Sequence, residues 1–208
     1  MSPSPMSADV TRHTDFDPGD IEWVGRERPG DIVIAESDPA WPQWYAELEV
    51  RIRRALGDRV LHLQHIGSTG VPGLSAKAII DIDLTVADPR EEAAYVPALE
   101  AEGFWLRIRE PGWHEHRLLY AEHPHANLHV FGPGSPEVMR HRMLRDWLMA
   151  HADDRECYAA AKRTAAARAN AGGESVMEYN LRKEPVVREI LDKMFRAQGL
   201  LPGEPNQG

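Results

Sequence analysis

The chain has 208 residues, of which 42% are hydrophobic, and its formal net charge is −9 at pH 7. This length suits one domain, or one domain with a helical extension, and the apolar fraction is sufficient for a core. A single cysteine excludes an intramolecular disulfide framework, and no apolar run reaches the roughly 18 residues that a membrane-spanning helix needs. The N-terminus lacks the basic and apolar pattern of a secretory signal, so we expect a soluble, cytoplasmic protein.

The acidic charge is concentrated near the N-terminus. Residues 1–50 hold 11 acidic and 3 basic residues, whereas residues 51–208 hold 22 and 21. The nearly neutral second part permits a phosphorylated substrate, and neither part has the basic bias of a nucleic-acid-binding protein. Residues 1–30 are rich in Pro, Ser, Gly and Asp, so we predict a mostly disordered acidic segment in which residues 21–24 can dock.

Residues 31–135 are predicted to form an α/β core. A short strand at 31–35 precedes a helix over 37–56, which Ser37 or Asp38 can cap and whose apolar residues recur at steps of three and four. A second helix is predicted at 90–102. Strand-like patterns occupy residues 59–67, 78–86, 104–109, 116–122 and 127–131.

From residue 136 the pattern becomes helical. Residues 136–197 are predicted to form a C-terminal helical bundle packed on the core, with Pro185 as a kink or boundary, and residues 198–208 a flexible tail. Strands mixed with helices and followed by a run of helices indicate an α+β fold with a mixed β-sheet flanked by helices.

The most strongly patterned strand carries two carboxylates. Asp81 and Asp83 alternate with apolar residues, so they share one face of the strand. Burying two like charges is costly unless a cation is shared, and Mg²⁺ prefers such oxygen ligands. The preceding turn contains Gly67, Ser68 and Thr69, whose backbone N–H groups and hydroxyls are suited to phosphate oxygens. Capping of the turn is the structural alternative for the two hydroxyls.

This pattern resembles the nucleotidyltransferase superfamily of the DNA polymerase beta type. The matching residues are Ile66-Gly67-Ser68 and, after a compatible spacer, Ile80-Asp81-Ile82-Asp83-Leu84. A narrower resemblance is to the GrpB family of predicted nucleotidyltransferases, whose members are sometimes fused to dephospho-CoA kinase. It is carried over about residues 31–195 by the stretches DPAWPQWYAELEVRIRRALG, HIGSTGVPGLSAKAIIDIDLTV, NLHVF, LRDWL, YAAAK and YNLRK. The resemblance implies an NTP, a divalent metal and nucleotidyl transfer.

The superfamily's third carboxylate is missing from the expected position. The stretch NLHVF offers Asn127 and His129 on one face, and an imidazole can ligate a metal or accept a proton near neutral pH. We therefore expect Asp81, Asp83 and His129 to be both the catalytic residues and the ligands of Mg²⁺ or Mn²⁺. The density of histidines at 114–129 leaves a site made of histidines alone as an alternative.

Several cations and aromatic residues are further candidates for nucleotide binding. Lys77 precedes the aspartates, Arg117 lies on a predicted strand, and each can reach a phosphate. The alternative is that both cations form a structural ion network with Asp81 and Asp83. Two pairs spaced four residues apart, and so on one helix face, are expected to stack on a base and reach a phosphate, or to pack in the bundle: Tyr158 with Lys162, and Tyr179 with Lys183.

The leading hypothesis is a metal-dependent nucleotidyltransferase-type enzyme. It binds an NTP, with ATP as the first choice, and transfers a nucleotidyl group to an unidentified small-molecule acceptor. The alternatives are a non-catalytic module that binds a nucleotide or a CoA precursor, and an ATP-dependent amide-forming enzyme on the same fold. Neither a nucleic-acid partner nor a membrane is expected, and the oligomeric state is not predicted.

Overall fold

The computed structural model describes residues 5–15, 17–25 and 31–202. Within them, a six-stranded mixed sheet is flanked by helices, which confirms the predicted α+β class. The strands are β1 (Glu22–Trp23), β2 (His62–Ile66), β3 (Ile80–Thr85), β4 (Phe104–Glu110), β5 (His116–Glu122) and β6 (His125–Phe131). The helices are α1 (Pro5–Thr11), α2 (Trp41–Leu56), α3 (Val96–Ala101), α4 (Pro136–Ala150), α5 (Ala152–Gly172) and α6 (Val176–Ala197).

The sheet order places the aspartate strand beside the histidine strand. The order is β1-β4-β5-β6-β3-β2, in which β3 and β6 are parallel and the other neighbours are antiparallel. Asp81 pairs with Asn127, and Asp83 pairs with His129. Side chains at paired positions point to the same face, so all four polar side chains lie on one side of the sheet.

The opposite face of β3 forms the main core. Ile80, Ile82 and Leu84 are fully buried against α2, which contributes Leu48 and Ile52. Burying each such side chain stabilises the fold by about 1.5–3 kcal/mol. This hydrophobic anchor fixes the register of β3 and thereby directs its aspartates toward α4, α5 and α6.

Part of the N-terminal segment that we expected to be mostly disordered is ordered. Helix α1 packs on α4, and Val10 is buried beside Met194 and Phe195. Strand β1 extends the sheet by pairing with β4, within the range 21–24 that was expected to dock. Residues 1–4, 16 and 26–30 lie outside the described residues.

Element boundaries differ from the predictions at four places. Helix α2 begins at Trp41 and not at residue 37, so its N-cap is Ala40 and neither Ser37 nor Asp38. The strand expected at 31–35 is a single bridge between Ala35 and Ala76. The helix expected at 90–102 is a short 3-10 turn followed by α3, because Pro97 is tolerated only in the first turn of a helix. Helix α6 continues through Pro185.

The described part of the C-terminal tail packs on the helices, and Leu200 and Leu201 contact the cluster around Phe195. The rest of the tail, residues 203–208, lies outside the described residues. None of the helices in the described ranges is both long and apolar enough to cross a membrane.

Candidate functional site

A cavity of about 300 Å³ lies between the aspartate face of the sheet and helices α4, α5 and α6. This volume is at the lower end of the range for small-molecule sites. Gly67 and Ser68 line one side, and three lysines, Lys77, Lys162 and Lys183, project into it. Among the described residues that line the cavity, Asp81 is the only carboxylate. The cavity therefore has the charge of an anion-binding site.

The turn at Gly67 brings the backbone against Asp81. Gly67 has φ 65° and ψ −169°, a conformation that is essentially restricted to glycine. A Cβ atom at this position would lie 2.4 Å from Oδ2 of Asp81. Glycine is therefore required both by its backbone angles and by the close approach of the carboxylate.

Asp81 is held by two side chains of the neighbouring strand. Nδ2 of Asn127 donates a hydrogen bond of 2.9 Å to Oδ1, and Nε2 of His129 lies 3.9 Å from the same oxygen. Burial alone would raise the pKa of Asp81, but His129, Asn127 and the charge of Lys77 hold this pKa below its ordinary value. Asp81 is therefore ionised at neutral pH and faces the cavity.

Asp83 has a different environment. It is fully buried, both of its carboxylate oxygens lie 3.1 Å from Nδ1 of His141, and Nε2 of Gln64 donates a 3.1 Å hydrogen bond to Oδ2. Burial alone would lower the pKa of His141, but Asp83 and Glu137 raise it. The structure thus places Asp83 in a buried ion pair beneath the cavity, not among the residues that line it.

The expected metal ligands do not form a metal-binding group. The ring of His129 contacts a second imidazole, since its Nδ1 lies 3.0 Å from Nε2 of His116, whose Nδ1 lies 2.6 Å from Glu110. Burial lowers the pKa of His116 and raises that of Glu110. With Asp83 engaged by His141, no set of three His, Cys, Asp or Glu residues in the described ranges is arranged to hold a metal ion. The three-ligand site therefore does not fit this arrangement, and neither does a site made only of histidines.

The lysines are held in place by the turn and by two tyrosines. Nζ of Lys162 forms a 2.9 Å hydrogen bond with Oγ of Ser68 and lies 4.5 Å from the centre of the Tyr158 ring. Nζ of Lys183 lies 5.3 Å from the centre of the Tyr179 ring. Each tyrosine thus meets the lysine four residues after it, and both tyrosines are buried. Their ring faces hold ammonium groups, which favours the packing alternative over base stacking.

Burial also changes the acidity of two of these lysines. Desolvation, together with the positive charge of Lys183, lowers the pKa of Lys162 to about 7 and that of Lys77 to about 8. At neutral pH a large fraction of Lys162 is therefore the neutral amine, whereas Lys77 is mostly charged.

Two residues expected at the site lie outside the cavity. Oγ1 of Thr69 donates a 3.1 Å hydrogen bond to the carbonyl of Ile79, so it stabilises the turn, as the alternative held. Nε of Arg117 donates a 2.8 Å hydrogen bond to Glu92, which also pairs with Arg109. The expectation for Arg117 is corrected accordingly, because its charge is used in an ion network away from Asp81.

A family model described as GrpB protein matches residues 31–193. The chain belongs to the GrpB family. It is 42% identical over 195 residues to UPF0157 protein BH1888 of Halalkalibacterium halodurans, covering 93% of this chain and 98% of that protein. The crystal structure of conserved protein GrpB from Enterococcus faecalis aligns with a TM-score of 0.65 and 25% identity, covering 78% of this chain and 99% of that chain.

A further relative of this GrpB-family chain carries an enzyme name. A protein named dephospho-CoA kinase from Mycolicibacterium paratuberculosis is 33% identical over 185 residues, which cover 76% of this chain. The matched region spans 44% of that kinase's length. The GrpB-like part is therefore less than half of a longer protein in that organism.

Two residues around the GrpB site, His141 and Gln64, were missed by sequence reasoning. Both hold Asp83 by hydrogen bonds. In addition, Nη1 of Arg145 donates a 2.7 Å hydrogen bond to the carbonyl of His65, which ties α4 to β2. His141 and Arg145 lie one turn apart on α4. This spacing predicts that they share a polar face of the helix, but it does not predict which residues that face contacts. Nε of Arg145 also donates a 2.9 Å hydrogen bond to the adjacent Asp146.

Proposed function

We propose that this GrpB-family protein is a nucleotidyltransferase-type enzyme that binds the phosphates of an NTP in the cavity and transfers a nucleotidyl group to a small-molecule acceptor. The observation that carries the proposal is the convergence of three lysines and the Gly67-Ser68 turn around Asp81, the single carboxylate among the described residues that line the cavity. The ammonium groups of Lys77 and Lys183, the guanidinium of Arg145 and a close-approach glycine turn suit a polyphosphate, whose negative charges match the excess of positive charge.

The proposal assigns a separate task to each group. Lys77 and Lys183 hold phosphate oxygens, and the Gly67 turn allows the phosphates to approach the backbone closely. Asp81 accepts a proton from the acceptor or contacts a divalent ion that enters bound to the NTP. Asp83 keeps β3 and α4 together through His141 and does not contact the substrate.

Binding is tested by titration calorimetry with ATP, CTP, GTP and UTP, each with Mg²⁺. We expect at least one NTP to bind, and Lys183→Met to weaken its affinity by about 10-fold to 100-fold, the value of a hydrogen bond to a charged group. Arg168→Met is the matched control, since it removes one positive charge from an exposed position of α5 that does not line the cavity. No binding of any NTP, or equal losses in the two variants, would contradict the proposal.

Turnover is tested by measuring pyrophosphate release with a panel of hydroxyl, amine and carboxylate acceptors. Nucleotidyl transfer releases pyrophosphate and joins the nucleotide to the acceptor. An ATP-dependent amide-forming enzyme instead releases AMP or ADP with an amide product. Repeating the assay with Mn²⁺, and with a chelator, tests the predicted dependence on a divalent metal.

A second candidate function is a binding module without catalysis. The specific observation in its favour is the capping of Asp83 by His141 and Gln64, which removes one of the two superfamily carboxylates from the cavity. Because one relative is named dephospho-CoA kinase, dephospho-CoA is a ligand to include in the titrations. Tight binding of it or of an NTP, insensitive to a chelator and without turnover, would favour this function.

A further inference from the structure

Ser68 and Lys162 form a contact that phosphate binding alone does not require. Lys162 lies on α5 and is only 2% exposed, yet its Nζ reaches across to Oγ of Ser68 at 2.9 Å. The same Nζ contacts the backbone carbonyl of Ser75, which fixes the direction of the amine. A hydroxyl, a buried amine and a group that orients the amine are the parts of an activated nucleophile.

The protonation state of Lys162 fits this arrangement. A neutral amine has two N–H groups and one lone pair, so it can donate to the Ser75 carbonyl and accept the hydroxyl proton of Ser68. Burial and the charges of Lys183 and Arg163 favour the neutral form, while Asp81 opposes them, and the pKa of Lys162 falls to about 7. Near neutral pH, therefore, about half of the molecules carry a base beside Ser68.

We propose that Ser68 is a nucleophile that Lys162 activates, and that it attacks the α-phosphorus of the bound NTP to form a nucleotidyl-serine intermediate. This inference rests on the proposed function, and it specifies a two-step reaction through a covalent enzyme. Both residues line the cavity that holds the phosphates in that function.

The two steps balance in atoms and charge. In the first, the bond between Oγ of Ser68 and the α-phosphorus forms, the bond from this phosphorus to the bridging oxygen breaks, and pyrophosphate leaves with that electron pair. The hydroxyl proton passes to Nζ of Lys162. In the second, an acceptor oxygen or nitrogen attacks the same phosphorus, its proton is taken by Asp81, and Ser68 leaves and recovers its proton from Lys162.

The direct test is exchange of radiolabelled pyrophosphate into the NTP without any acceptor, together with intact-mass analysis of the protein. The probe is ATP with Mg²⁺, or whichever NTP binds in calorimetry. We expect exchange and a mass increase of one nucleoside monophosphate, mapped to Ser68. The adduct should survive mild acid, because a phosphate ester of serine is acid-stable and a phosphoramidate of lysine is not.

Variants separate the roles of the two residues. Ser68→Ala should still bind the NTP but lose both the exchange and the adduct. Lys162→Met should slow exchange by roughly 100-fold or more, which is the value of a positioned general base. The wild-type exchange rate should rise with pH through about 7 as Lys162 loses its proton. This pH profile tests the base without relying on a variant that fails to fold, and Arg168→Met should leave exchange unchanged.

Each outcome separates the inference from the proposed function. An NTP that binds without exchange or adduct would overturn the covalent step and leave the proposed function standing. Exchange that persists in Ser68→Ala, or an acid-labile adduct on Lys162, would also overturn it. Absence of NTP binding would refute the proposed function, and the inference with it.

Discussion

Replacing Lys162 by methionine tests the buried amine on which the site depends. The pKa of Lys162 is about 7 in the folded protein and 10.5 in the absence of the fold. Between these values only the unfolded chain holds the proton, so stability increases with pH. Each pH unit spent fully in this window adds about 1.4 kcal/mol. Since half of the folded molecules have already lost the proton at pH 7, raising the pH from 7 to 9 should add about 2 kcal/mol to the wild type.

The measurement is the free energy of unfolding in urea at pH 7, 8 and 9 for both proteins. Lys162→Met lacks the titrating group, so the increase of its unfolding free energy from pH 7 to pH 9 should be about 2 kcal/mol smaller than that of the wild type. Lys77, which also has a lowered pKa, is present in both proteins and cancels in the comparison. Parallel pH dependences in the two proteins would refute the assignment of a displaced proton to Lys162.

Three further substitutions test other parts of the site. Gly67→Ala should destabilise the fold by about 1–3 kcal/mol from backbone strain and should also displace Asp81, which thermal melts and NTP titration check together. His141→Gln should lower the free energy of unfolding by about 3 kcal/mol because it leaves the buried charge of Asp83 unpaired. If the losses of His141→Gln and Asp83→Asn simply add in the double variant, the two residues are not coupled and this reasoning is contradicted. Arg117→Met should lower stability but leave NTP affinity unchanged, because the ion network of Arg117 lies away from the cavity. A change in NTP affinity would show that Arg117 contributes to binding after all.

The sequence contained enough information to place the central strands. The alternation of Asp81 and Asp83 with Ile80, Ile82 and Leu84 predicted one polar and one apolar face, and the apolar residues are indeed buried on the face opposite the aspartates. This works because a strand has a period of two and a core selects apolar side chains locally. The position of His129 beside the aspartates followed from the family pattern and agrees with the parallel pairing of β3 and β6.

The contact of Asp83 with His141 could not be predicted from the sequence in the same way. Its partner His141 is 58 residues away along the chain, on a helix whose docking depends on the whole tertiary structure. Likewise, Lys162 reaches Ser68 across 94 residues, so periodicity marked the lysine only as a neighbour of Tyr158. Local patterns predict which face a residue occupies, but contacts between distant elements depend on packing.

The partial order of the N-terminal segment has a similar cause. The composition of residues 1–30 is poor in apolar residues, which favours disorder. Val10 is nevertheless buried against α6, and β1 adds to the edge of the sheet beside β4. A few apolar contacts with a preformed surface are enough to order short pieces that could not fold alone.

The most direct test of phosphate binding in the cavity is a crystal structure of the protein with Mn²⁺ and a non-hydrolysable NTP. We predict that the triphosphate lies between Ser68 and the ammonium groups of Lys77 and Lys183, with Asp81 facing the phosphates or the ion bound to them. A nucleotide bound elsewhere, or a cavity that stays closed by its lysines at saturating nucleotide, would contradict the proposed function.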